Sequence, residues 1–216
     1  MEKIAVAAIN QKGGVGKTTL SIILTQMALL KRHKVLAIDL DPQRNFTDAL
    51  SFIADYFTDV LRVKSSLSPE DADCEEEWII LDCPPVLGDI TKEALDFADI
   101  AIVPVRPDFF SLSNLGVVYS FAAEAGKDRS QLPVVKVGYD TSRLARMVDQ
   151  VLVEKQYPVA GRVPLNRLIP YNITLGRVWS TGLTADARRP FDQMYSRITN
   201  AYERMLEGDF TSPWRD

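Results

Sequence analysis

An α/β fold, with a mostly parallel central sheet and helices on both faces, is what this sequence predicts, on three observations. Short β-rich apolar runs alternate with segments of helical periodicity, which is the βαβα order of such folds. The runs are nearly continuous rather than alternating, as expected of strands covered on both faces. A glycine-rich segment, Lys12-Gly13-Gly14-Val15-Gly16, joins the first strand to the first helix.

Taken in order, residues 3–9 form the first strand, carried by the apolar run from Ile4 to Ile9. A helix over 17–31 follows; Leu20, Ile22, Ile23, Leu24, Met27, Ala28, Leu29 and Leu30 make it apolar over most of its circumference, so it should be buried. The second strand, 34–39, is stopped by Pro42, which has no N–H for the ladder. A helix is expected over 46–61. Residues 65–77, with five acids in the last seven positions, read as a solvated surface connection. Strands over 78–82, 100–105 and 134–137 and helices over 112–125, 142–155 and 185–206 complete the reading.

At 216 residues the chain suits one domain, 1–216, able to bury about 70% of its unfolded surface. Apolar content of 46% and charged content of 25% are those of a soluble globular protein. No run approaches the ~18 apolar residues of a membrane span, and the first apolar run is too short for a secretory leader, so the cytoplasm is expected. Cys74 and Cys83 lack a CxxC or Cys/His spacing and read as free thiols. The net charge of -4 excludes a generally basic, nucleic-acid-coating protein, yet it divides into -8 over residues 1–126 and +4 over residues 127–216. Any basic surface belongs to the C-terminal third.

Strand, glycine loop and helix N-terminus form a phosphate site. Glycines let backbone N–H groups converge on phosphate oxygens, and the helix end adds partial positive charge. Lys17 should reach the β- and γ-phosphates, and the Thr18 hydroxyl should ligate Mg²⁺, with Thr19 completing the box. The domain is therefore a P-loop nucleotide-binding ATPase. Asp39 and Asp41 lie at a strand's C-terminal end, where ligands bind in parallel sheets, and i, i+2 spacing can turn both towards the loop. Trp78-Ile79-Ile80-Leu81-Asp82 delivers a carboxylate to a strand tip, where Asp82 should hold the Mg²⁺ shell.

Gln11 stands where the common GxxxxGK[ST] pattern has its first glycine. Asn10-Gln11-Lys12-Gly13-Gly14-Val15-Gly16-Lys17-Thr18-Thr19 resembles the deviant Walker A box of the ParA/MinD family of dimerising ATPases. Asp39-Leu40-Asp41-Pro42-Gln43 is similar to that family's second box, and Pro104 to Leu112 to its P-x-x-P-x-x-x-S-L segment. By resemblance, Lys12 is a signature lysine that reaches phosphates held by the other subunit, Asp41 orients the attacking water, and Asp39 supports Mg²⁺. Tyr139 and Pro170 fall where the family forms its adenine pocket. Tyr171 and Arg177 depart from its usual residues there.

The resemblance implies ATP and Mg²⁺ as ligands, an ATP-bound homodimer, and hydrolysis that is slow until a ParB-like activator hastens it. The ParA-type branch further implies ATP-dependent, non-specific DNA binding for partition of DNA or another cargo, with association with the nucleoid. Arg143, Arg146, Arg188 and Arg189, on helical segments of the basic third, are the candidate DNA contacts. No helix-turn-helix precedes Lys3, so operator recognition is not expected. A MinD-like membrane-associated ATPase would carry a basic amphipathic C-terminal helix. The tail from Glu207 is instead broken by Gly208 and Pro213, so no membrane partner is expected. A small-molecule ligase or reductase on the same fold would show further substrate or cluster ligands, and none stands out.

Overall fold

Apolar residues on alternate positions of each strand go to opposite faces, and both faces are covered. In β1 (Ile4–Ala8), Ile4, Val6 and Ala8 enter one core while Ala5 and Ala7 enter another. The computed structural model describes residues 2–164, 166–210 and 213–214. After β1 come α1 (Lys17–Leu30), β2 (Val35–Asp39), α2 (Asn45–Ala54), β3 (Leu61–Lys64), β4 (Trp78–Asp82) and α3 (Asp89–Phe97). Then follow β5 (Ile100–Val105), α4 (Phe109–Glu124), β6 (Val134–Tyr139), α5 (Arg143–Glu154), β7 (Val159–Pro164), α6 (Leu168–Thr174) and α7 (Ala185–Leu206).

The seven strands form one sheet in the order β3-β2-β4-β1-β5-β6-β7, every pair parallel. Side chains of α1, α2 and α7 fill the core on one face, and those of α3, α4 and α5 the core on the other. The predicted α/β architecture is therefore the observed one.

Several elements differ from expectation. The helix begun at residue 46 stops at Ala54 instead of continuing to 61, because the 3₁₀-type bonds Tyr56 N to Ile53 O and Phe57 N to Ala54 O tighten its end. The chain then pairs β3 with β2 as a short, half-exposed edge strand. α3 is a nine-residue helix with only Thr91, Ala94 and Leu95 buried, too few positions to declare a period. β7 contains Gly161 and Pro164 and lies at the other sheet edge, where a missing ladder donor is tolerated. Within the acidic connection, Asp71 is buried and paired with Lys64 at 2.6 Å, so part of that segment is packed.

Candidate nucleotide site

The order β2-β4-β1-β5 places four strand ends side by side on the carboxyl edge of the sheet. Asp39 and Asp82 are partners in register, and Ala8, the last residue before the loop, is the partner of Asp82 on the other side. Residues far apart in sequence thus meet at one sheet edge.

The loop's shape follows from two backbone positions and one buried side chain. Gly14 and Gly16 have φ of +70° and +110°, in the region L side chains avoid. Gly16 caps α1 and lies against β6: a Cβ there would come within 2.9 Å of Val137 Cγ1. Buried Asn10 donates to Pro104 O at 2.9 Å and accepts from Lys12 N at 2.9 Å, tying the loop to β5. Arg106 donates to Gly14 O at 3.2 Å from the same side.

Lys17 opens α1 and is buried. Burial pulls its ammonium below the usual lysine range, and the carboxylates of Asp82 and Asp41 oppose that shift. Thr18 donates its hydroxyl to Asp82 Oδ2 at 2.7 Å, and Ser21, one turn on along the same helix face, donates to Oδ1 at 2.9 Å. Burial raises the Asp82 carboxyl to about 7 despite those two bonds. A buried carboxylate beside a threonine hydroxyl is an all-oxygen donor set of the kind a hard divalent cation takes, so Thr18 and Asp82 fit Mg²⁺. Cys83, fully buried next to Asp82, has its thiol pushed far up by burial and stays protonated.

The Asp39 carboxylate is accounted for by three hydrogen bonds. It accepts from Asp41 N at 3.1 Å and from the backbone N and hydroxyl of Thr47 at 2.8 and 2.9 Å. These bonds fix the turn that carries Asp41, whose own carboxylate accepts from Gln43 N at 2.9 Å. Arg44, the next residue, caps α2 with φ of +57° and donates to Asp39 O and Ser65 O at 2.9 and 3.2 Å. An arginine in the left-handed region is strained by about 1 kcal/mol, here beside the catalytic candidate.

Lys12 does not extend freely from the loop. Its ammonium sits 2.8 and 3.0 Å from the two Asp108 oxygens and 3.1 Å from Ser111 Oγ. Asp108 also caps α4 through Ser111 N at 2.7 Å. Burial would raise the Asp108 carboxyl, but Lys12 and Ser111 hold it below the usual carboxylate range.

Other predicted positions are dispersed. Tyr139 lies at the end of β6 near the loop, but its ring is buried in the α3/α4/α5 core, with Lys136 Nζ 5.1 Å from the ring centre. A base could therefore meet only its backbone. Pro170 is exposed on α6, and its carbonyl accepts from the Thr174 hydroxyl at 2.8 Å. Arg143 and Arg146 are exposed on α5, whereas Arg188 and Arg189 are exposed at the start of α7, on the other face of the sheet. The four do not form one helix face. Asn10, Ser21, Arg44, Arg106 and Asp108 escaped the sequence reading. Ser21 left a signal in its i+3 spacing from Thr18, while Asn10, Arg106 and Asp108 lie within the segments that carry the family resemblance but were given no role there.

Comparison with known proteins is consistent with this geometry. A family model described as an AAA domain matches residues 1–72 and 61–132, more than half of the chain. The chain belongs to that family, the ParA/Soj/MinD ATPases. The chromosome-partitioning ATPase Soj of Treponema pallidum is 24% identical over 217 residues, covering 81% of this chain and 86% of its own. A Borrelia burgdorferi protein described as a plasmid partition protein, bound to AMPPNP, superposes with a TM-score of 0.74 at 18% identity, covering 90% of this chain and 98% of its own. The septum site-determining protein MinD of Pyrococcus horikoshii, with Mg-ADP, gives 0.70 at 17%, covering 92% and 96%. At those identities the structural matches speak for the fold. Among the described residues no helix is long and apolar enough to cross a membrane.

Proposed function

We propose that this member of the family is an ATP-dependent dimerising switch of the partition type, which hydrolyses ATP slowly alone and faster with an activating partner. The observation that carries the reading is the convergence of Lys12, Lys17, Thr18, Asp41 and Asp82 on one sheet edge around the glycine loop. Backbone N–H groups of Gly13 to Thr19 and the Lys17 ammonium bind the phosphates. Thr18 and Asp82 would hold Mg²⁺, which would supply charge neutralisation for the phosphates. Asp41, on the turn fixed by Asp39, orients the attacking water; positioning and charge account for most of phosphoryl-transfer catalysis.

Lys12 gives the dimer its dependence on nucleotide, because its ammonium can exchange Asp108 for a phosphate of the second copy. The turns after Asp41 and Asp82 respond to the γ-phosphate and bias the chain between monomeric and dimeric forms. Duplex DNA meets the ATP dimer through phosphate contacts. The exposed arginines at positions 143 and 146 supply one basic patch; those at 188 and 189, the latter paired with the Asp186 carboxylate, lie on the opposite face of the sheet.

ATPase rate and binding, measured with and without duplex DNA and anionic vesicles across a salt series, test the reading. DNA binding that requires ATP and falls steeply with salt is expected. Binding to vesicles and not to DNA would overturn the partition assignment in favour of a membrane-associated ATPase.

A further inference from the structure

Two cations stand at the rim of the glycine loop, and only one is neutralised. Lys12 is held by both oxygens of Asp108. Arg106, two residues before Asp108, is exposed and has no carboxylate partner among the described residues. Its Nη1 donates to Gly14 O at 3.2 Å. That bond uses one of the five N–H donors of a guanidinium.

The placement of Arg106 is built into the backbone. It follows the last residue of β5, the strand next to β1. Pro107 restricts Arg106 to extended conformations, and Pro104 O is tied to the loop by Asn10. Depth separates it from Lys17: the lysine is buried under the loop, whereas the arginine lies at its mouth.

We propose that Arg106 is a phosphate-contacting residue whose guanidinium meets the terminal phosphate of a bound nucleoside triphosphate, so that it discriminates triphosphate from diphosphate. The inference rests on the reading of the loop as an ATP site. Planar, permanently charged and rich in donors, arginine suits a phosphoryl oxygen pair better than lysine does. The phosphate comes either from the nucleotide on the same loop or from that of the second copy.

The test uses the full chain as wild type, Arg106→Gln and Arg106→Lys. Affinities for a fluorescent ADP and a non-hydrolysable fluorescent ATP analogue are measured at concentrations below and above dimerisation, with light scattering to report the dimer. Arg106→Gln should weaken the triphosphate analogue about tenfold or more and ADP less than twofold, at unchanged melting temperature. Arg106→Lys should recover part of the loss. A loss already present in the monomer assigns the phosphate to the same chain, and a loss confined to the dimer assigns it to the second copy; both support the inference. Equal losses for ADP and the analogue would reduce Arg106 to a brace of the loop and overturn it, as would no change at all. Wild-type protein that binds neither nucleotide would overturn the ATP-site reading itself, and the role of Arg106 with it.

Discussion

The edge of the sheet formed by β2, β4, β1 and β5 and the C-terminal third from β6 onward are built on opposite plans. In the first, β1, β2, β4 and β5 are buried along their whole length, and Lys17, Ser21, Asp39 and Asp82 are buried polar groups. In the second, β6 and β7 are only partly buried, Asn172 is the buried polar residue among those described, and Arg143, Arg146, Arg188 and Arg189 face solvent. Phosphate chemistry needs charged groups desolvated and held from several elements at once, which restricts residue type and spacing. Contacts to a base or a DNA backbone can use any donor on an accessible surface, so they leave no comparable pattern.

Substitutions can break or sharpen that contrast. The largest effect is expected from Asp41→Ala, which should keep nucleotide binding and lose about 100-fold or more in turnover, read by phosphate release beside equilibrium ATP binding. Normal turnover would remove Asp41 from the chemistry. Gly16→Ala places a side chain at φ of +110° and against Val137, so urea unfolding should show a loss of about 2 kcal/mol or more, with nucleotide affinity falling too.

At Arg44, the informative quantity is a difference between two variants. Both Arg44→Gly and Arg44→Ala lose the bonds to Asp39 O and Ser65 O, but only glycine relieves the strain at φ of +57°. The glycine variant should be the more stable by about 1 kcal/mol, and equal midpoints would mean that the turn relaxes freely.

Asp108 carries a pH signature. Its folded-state pKa is depressed, so the Lys12 pair contributes stability that is present above the usual aspartate value of about 3.9 and is lost as pH falls through the depressed folded value. The pair is a third exposed, so Asp108→Asn should cost about 0.5–1 kcal/mol at pH 7, and the gap to wild type should narrow on acidification. A gap independent of pH would assign the loss to the α4 cap alone. Smallest of all, Arg143→Ala with Arg146→Ala should change stability by about 0.5 kcal/mol or less while reducing the salt slope of DNA binding. A marked loss of stability would mean that this surface is structural after all.

Much of the candidate site was legible because its rules are local. A strand, glycines at left-handed positions, Lys-Thr at a helix start and an acid at a strand tip are each encoded in a short segment, although the segments themselves lie apart, Thr18 and Asp82 by 64 positions. Ser21 was within reach of the same reasoning. Asp108 was not, since its bond to Lys12 spans 96 positions. The fold class was equally plain from continuous apolar runs, whereas β3 and β7 were hidden because edge strands need neither full burial nor an unbroken run.

By itself, then, the sequence determined an α/β domain with a glycine loop, its lysines and three carboxylates, because backbone conformation and burial period are properties of short segments. Tertiary structure alone decided that Asp39 and Asp82 stand side by side across β2 and β4 and that Asp39 spends its carboxylate on the Asp41 turn. It also turned Tyr139 inward and divided the four arginines between two faces. Strand order and helix placement set those outcomes, and both follow from how the whole chain buries its apolar surface rather than from any residue's neighbours in sequence.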